Sequence, residues 1–555
     1  MKNKPCFSLF IVLVAVCFFG MAQSPPKVEL WRSGKNTLYA NIQSAINAAQ
    51  PGDLIKIRAG TYYENIVLDH LQGKPGAHIR LEGAEGENVV LDGADQELQK
   101  KGNHRWKEMG NGEYQTTVSY VGPDDTWNRV TAATVGDQDS LLATYWFDTK
   151  FDSLQRGRGI QKKGNALRLK MPDGLHPSNL PIHIGTSEAI LRIQNSAYVE
   201  IRNLQLKHAG FAGIYLVGTE FSHITLEHLQ ISSAFRGITT DEKNSGSDVL
   251  IKDCMVSNNM PRDWPWTGYD DGADASDDSK APQRTTGIMI KGGKNMEIRN
   301  CEIAGWWDGM KLTGRAIKAH HNSIHNIQDD IVELESNYSE DVRFYNNVGY
   351  DAFVGISVIN NAGGNVYVFR NRIVNARHEW NPKTRKQTYG YSIKMGRAWG
   401  NEKKAQNVKF FNNSFYAYRA NFWDARSTSV ENFEFVNNIF CTGHDARNFL
   451  NPDTVTHSFE KGCKWMNNVW NKQGQIHEPG LQNCDPSYVS VQYLDATKNL
   501  DLNIQPHSCA KDAGTDYPKR AWPGIDTCPS VGAPDIGAHE IGQNDDELAH
   551  IGPAQ

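Results

Sequence analysis

The segment MEIRNCEI, Met296–Ile303, decides how this chain folds. Met296 and Ile298 alternate with Glu297 and Arg299, the period of a strand with one buried face. Asn300 marks a bend, after which Glu302 and Ile303 resume the alternation. The unit recurs as VEIRNLQL (199), ITLEHLQI (224), VLIKDCMV (249), VRFYNNVG (342), VYVFRNRI (366), VKFFNNSF (408) and FEFVNNIF (433). A second series runs half a period behind: GIYL (213), GITT (237), GIMI (287), GMKL (309), GISV (355) and SIKM (392). Uninterrupted steps measure 22 to 25 residues. Propeller blades need about 40 to 45 residues per repeat, and leucine-rich repeats need a leucine-asparagine frame that is missing. Strands and bends with almost no helical periodicity predict an all-β chain, a parallel β-helix. Each coil adds one strand to each sheet, about 4.8 Å from the last. The recurring Asn tolerates left-handed backbone at the bends and can stack its amide on the next coil.

Upstream, NIQSAINAAQPGD puts Ile42, Ala45, Ile46 and Ala49 on one helical face, and Pro51-Gly52 stops the helix. Such a helix can cover the first coil, whose bare strand edge would invite aggregation. The string IQSAINAAQPGDLIKIRAGTYYENI (42–66) resembles the opening of right-handed parallel β-helix proteins of the pectate-lyase-like superfamily. GAPDIGAHE (532–540) resembles their closing segment, and the resemblance covers residues 38–93 and 187–540. It implies a right-handed, three-sheet solenoid with an N-terminal capping helix. Members include polysaccharide lyases, glycoside hydrolases, epimerases and non-enzymatic adhesins, so the resemblance specifies fold far more than reaction.

Lys2 and Lys4 before an apolar run from Phe7 to Phe19, with Ala22 at a cleavage point, predict a signal peptide over 1–22 and a secreted or periplasmic protein. The remaining layout is a cap with first coils (23–104), a small β-rich insertion (105–185), the main β-helix (186–480), C-terminal coils and cap (481–542) and a polar tail (543–555). Acidic and basic loops over 259–283 and 376–390 interrupt the coils. A formal net charge of -5 argues against a protein built to hold nucleic acid, and no later segment reads as a membrane span. Oligomeric state is left open. Seven cysteines remain after cleavage; none sits in a close Cys/His cluster with zinc spacing, which argues against a structural zinc.

Aligning the second series by its inward pairs, Met310/Leu312, Val332/Leu334, Ile356/Val358 and Ile393/Met395, sets Lys311, Glu333, Ser357 and Lys394 in one outward column. Asp308 and Asp330 stack at the bend before it, where direction cannot be read from parity. Glu335 lies about 6.7 Å beyond Glu333 along the strand. Asp329, Asp330, Glu333 and Glu335 crowd so closely that a cation must offset them or one must hold a proton. The alternative is a solvated ladder of mixed charges.

Glycoside hydrolysis needs two carboxyl groups in different protonation states. Glu333 with Asp330 or Asp329 is the expected catalytic pair, with Glu335 the alternate partner, acting on an acidic polysaccharide without a cofactor. Lys311, Lys394, Arg397, Asp308 and Tyr391 are expected to bind substrate. The competing reaction is uronate elimination. β-Helix lyases use Lys or Arg for it, and Glu335 with Glu333 and Asp330 would then hold calcium. A third reading is a carbohydrate-binding or adhesive β-helix without catalysis. Asp329-Asp330 and SIK (392) resemble polygalacturonase segments, but the other segments of that family have no match. His378 and His444 read as loop decoration.

Overall fold

The computed structural model describes residues 28–119, 132–145, 151, 159–163, 166–171, 175–241, 246–260, 285–335, 339–359, 363–375, 378–381, 386–396, 405–417, 420–425, 430–442, 462–471, 481–482, 484–490, 501–525 and 532–542. Three long sheets of 14, 13 and 10 strands wind around one apolar bore. Successive coils pair in parallel, and the two repeat series fall in different sheets. Val199, Ile224, Val249, Met296, Ile317, Val342, Val366 and Val408 form one column of the 14-stranded sheet. Ile214, Ile238, Ile288, Met310, Val332, Ile356, Ile393 and Phe422 form one of the 10-stranded sheet. All of these belong to a single buried cluster, and their hydrophobic burial is the main favourable term in folding.

The bends repeat a two-residue device. Asn203, His228, Asp253, Asn300, His321, Asn346, Arg370, Asn412, Asn437 and Asn467 all adopt positive φ, between +50° and +57°. The residue after each turns inward. In early coils it is Leu204, Leu229, Cys254 or Cys301, and from Asn322 onward it is asparagine. Asn322, Asn347, Asn371, Asn413, Asn438 and Asn468 stack one per coil, each amide nitrogen before Asn468 donating to the next side-chain oxygen at 2.9–3.0 Å. The same oxygens accept backbone N–H groups. The ladder satisfies buried backbone at the bend, where no strand partner reaches it.

Helix Ile42–Ala48 buries Ile42, Ala45 and Ile46 against the end of the bore, as the spacing predicts, and Asn41 caps it. The exposed sheet edge is closed differently from expectation. A hairpin, Val28–Arg32 and Lys35–Tyr39, pairs antiparallel with Leu54–Ile57 and covers the first strand. The chain leaves the coils after Val89–Asp92 and returns at Ala189–Gln194. Between them lie two small sheets with largely antiparallel pairing, around a separate core that includes Trp106, Ile160, Leu167 and Ile182. Cys484 and Cys509 form a disulfide, while Cys254 and Cys301 are free thiols and buried.

Replacing Asn371 by Ala removes the acceptor for both the backbone N–H and the amide of Asn347. Urea unfolding should show a loss of about 1–3 kcal/mol for each donor left unsatisfied. An unchanged midpoint would mean that the ladder adds nothing to stability.

Candidate active site

The register places the outward residues as the apolar pairs predict. Lys311 pairs with Glu333, Glu333 with Ser357, and Ser357 with Lys394, on consecutive strands of the 10-stranded sheet. At the start of these strands the alternation breaks. Ile331 and Val332 both face the bore and are fully buried. Gly309 stands one coil before Ile331, and a Cβ there would meet Ile331 O at 2.5 Å and Ile324 Cγ2 at 2.6 Å. Two consecutive inward residues turn Asp308 and Asp330 to the outer face, which parity alone does not reveal.

Lys311 Nζ lies 2.6 Å from Glu333 Oε2 and 2.9 Å from Asp308 Oδ2. Lys394 does not pair with Glu333. It reaches back across the intervening strand to Asp330 Oδ2 at 2.7 Å. Ser357 Oγ donates to Glu335. Asp308, Asp330 and Lys394 are buried, whereas the side chains of Lys311 and Glu333 keep 23% and 17% exposure. This is a packed charge cluster with an accessible rim, not a solvated ladder. Asp329 joins Asp308 and Asp330 in a group whose oxygens lie within 4.8 Å of one another, and Asp330, Glu333 and Glu335 form a second such group. Asp330 Oδ1 is buried without a hydrogen-bond partner.

Protons distribute unevenly over the cluster. Burial raises the Asp308 pKa to about 7, with Lys311 opposing and Glu333 assisting. Burial and Asp329 push Asp330 up as well, against the pull of Lys394, with which it pairs. Burial would raise Glu333 too, but Lys311 and Lys394 prevail and bring it down to about 2. Burial and the Glu333 charge lift Glu335 to about 8. Burial works against both lysine charges, yet the surrounding carboxylates raise the pKa of each and keep it protonated. The crowding is thus relieved by two lysines together with protonated carboxyls.

Tyr391 is half-buried two coils from Asp330, edge-on to Phe353 with ring centroids 6.0 Å apart. Trp306 fills the bore, its indole donating to Val256 O at 2.9 Å. Trp307 packs against Leu141 of the insertion and Met260. Arg236, absent from the expected set, stands in the column that continues through Thr286 to Asp308. Its guanidinium donates to Thr286 Oγ1 at 2.5 Å, and burial lowers its pKa to about 10 against the pull of Asp308 and Glu333. Extending the repeat alignment three residues back from Thr239 would have found it. Arg397, His444 and the side chain of His378 lie outside the described residues, as do the signal segment, most of the acidic loop and the polar tail. Among the described residues no helix is long and apolar enough to cross a membrane.

A carboxyl whose pKa is higher in the fold than in the unfolded chain stabilises the fold at low pH and loses that contribution as pH rises. For Glu335 the window runs from the ordinary 4.5 to about 8. In chelator, Glu335→Gln should therefore unfold at the same temperature as the parent below that window and at a higher one above it. Parallel pH profiles for the two proteins would contradict the assignment.

Residues 188–415 match the family described as "Right handed beta helix region". Among curated proteins the chain has no match. Among solved structures it is similar to XylC in complex with xylose, at 13% identity and a TM-score of 0.49, covering 81% of this chain and 84% of that one. It is also similar to pectate lyase Pel9A, at 15% identity and a TM-score of 0.40 over 90% of each chain. An alginate lyase from Paenibacillus sp. str. FPU-7 matches at 14% identity and 0.38, covering 71% of this chain and 94% of that one. At such identities the likeness concerns the fold alone. The sheet pairing above gives the fold, a right-handed parallel β-helix, and the match over 188–415 agrees with it.

Proposed function

We propose that the outer face of the 10-stranded sheet is the cleavage site of a secreted or periplasmic enzyme acting on an anionic polysaccharide by elimination. The observation that carries this reading is a crowd of carboxyl oxygens, part of whose charge is cancelled by protons on Asp308 and Glu335. Five carboxyls, Asp308, Asp329, Asp330, Glu333 and Glu335, gather around three cations, Lys311, Lys394 and Arg236. A divalent cation that displaced those protons would add the positive charge that an anionic sugar meets. The all-oxygen donor set and the unpartnered Asp330 Oδ1 fit a hard divalent cation such as calcium, which Asp330, Glu333 and Glu335 would hold. Bound there, it would supply the charge that neutralises a uronate carboxylate.

Proton transfer falls to the chain's own groups. Lys311 is the more exposed lysine and sits 2.9 Å from Asp308, whose pKa is about 7. Asp308 can take the carbon-bound proton of the sugar, while Lys311, held protonated beside it, gives its proton to the leaving glycosidic oxygen as that C–O bond breaks and then recovers one from Asp308. A pKa near working pH suits such an exchange. Lys394 adds positive charge on the far side, and Tyr391 offers a ring to the sugar. The disulfide Cys484–Cys509 fits an oxidising compartment.

Hydrolysis is the second reading, favoured by one observation. Glu335 and Glu333 lie two residues apart with pKa values driven to about 8 and about 2, an acid and a base on one strand. That arrangement needs no cation and suits a less charged chain.

Uronate-rich and neutral polysaccharides assayed with calcium and with chelator separate these readings. Elimination gives products with the ultraviolet absorbance of an unsaturated uronate, lost on chelation. Glu333→Gln should then lower kcat by about 10²-fold or more with the fold intact. New reducing ends without that absorbance, indifferent to chelator, would replace elimination by hydrolysis. Tight glycan binding without cleavage would leave a binding protein and remove the catalytic reading.

A further inference from the structure

A second cluster stands at the seam between the insertion and the coils. It is built from four segments far apart in sequence. Asp139 lies in the hairpin turn after Ala133–Val135, His183 on strand Ile182–Ile184, His208 just past Gln205–Lys207, and Asp92 at the end of Val89–Asp92. Asp139 Oδ1 lies 2.7 Å from His183 Nδ1 and 2.9 Å from His208 Nε2. The two imidazole rings are 4.2 Å apart, and the three donor atoms fall within 4.8 Å of one another. His208 is 4% exposed, and its other nitrogen, Nδ1, lies 3.0 Å from Asp92 Oδ1. Asp92 is itself buried and accepts the Ala94 N–H at 2.9 Å.

We infer that Asp139, His183 and His208 form a binding site for a borderline divalent metal such as zinc. The donor set is two imidazoles and one carboxylate, which suits zinc, cobalt or nickel rather than calcium. Asp92 plays the part that a carboxylate commonly takes behind a metal-bound histidine. Accepting the Nδ1 proton fixes the tautomer and turns the Nε2 lone pair toward Asp139 and His183. Metal–ligand bonds of about 2.0–2.1 Å set ligand atoms about 3.4 Å apart. The cluster must therefore open by about half an ångström, with Asp139 moving in its turn. Thr134 Oγ1, 3.2 Å from His183 Nδ1, borders the remaining position, where water can complete the shell. Lys207 Nζ, 3.7 Å from Asp139 Oδ2, opposes a cation. Burial works against the His208 charge, but Asp139 and Asp92 raise its pKa to about 9, so metal must displace a proton from that ring.

The site joins the insertion, through Asp139 and His183, to the coils, through His208 and Asp92. Leu141, two residues beyond Asp139, packs on Trp307 beside the carboxylate cluster. Metal at the seam would therefore set how firmly the insertion rests on the coils next to the candidate active site.

The test uses the untagged full chain, stripped with chelator and titrated with zinc by calorimetry and with cobalt by visible spectroscopy. One equivalent should bind with the absorption of a low-coordinate cobalt site and raise the unfolding temperature. His183→Ala and His208→Ala should each abolish that absorption and the thermal shift, while Glu335→Gln, at the other cluster, should keep both. Failure of the parent protein to bind either metal, or binding that survives His183→Ala unchanged, overturns the proposal. If the histidine variants unfold early but the parent binds no metal, the cluster is an ionic clamp alone and the metal site is refuted.

Discussion

A buried ion pair between Lys394 and Asp330, 2.7 Å long, ties coils that are not neighbours. Taking either charge out of water alone is costly, and removing one partner of such a pair commonly destabilises by about 3–5 kcal/mol. The pair exists because the sheet register is fixed. A slip of one residue in either strand would send Lys394 into the bore and Ile393 to the surface. The apolar columns thus decide which charges meet.

The arrangement has a chemical consequence. A flat, solvated strand would let each carboxylate ionise near its ordinary pKa. Here the solenoid stacks Asp308, Asp330 and Glu333 on adjacent strands and buries two of them. Protons and lysines then settle into a pattern with Glu333 ionised and Glu335 and Asp308 poised near neutrality. Groups so divided are suited to proton transfer, and clusters of this kind favour functional over structural roles. A cation or an acid–base pair can each use the pattern, which is why elimination and hydrolysis share most of their residues.

Much of this was legible in the sequence because β-structure has a period of two. The inward pairs from Met310/Leu312 to Ile393/Met395 gave the register and brought Lys311, Glu333 and Ser357 together. The bends were harder. Ile331 and Val332 both turn inward, so the outward direction of Asp308 and Asp330, and the reach of Lys394 to Asp330 rather than Glu333, needed coordinates. Arg236 sits on a strand-initial position that the apolar pairs do not index. The N-terminal hairpin was missed because Lys35–Tyr39 is almost wholly exposed and carries little apolar alternation. The seam cluster was invisible for another reason. Its residues lie at positions 92, 139, 183 and 208, and only the docking of the insertion brings them together.

The most direct measurement is a double-mutant cycle on unfolding free energy between Lys394→Met and Asp330→Asn. If the two side chains form the buried pair that fixes the cluster, Lys394→Met alone strands a carboxylate, and adding Asp330→Asn recovers much of the lost stability. Losses that simply add would show that the two residues do not meet, and the proposed arrangement of the site would fall with them.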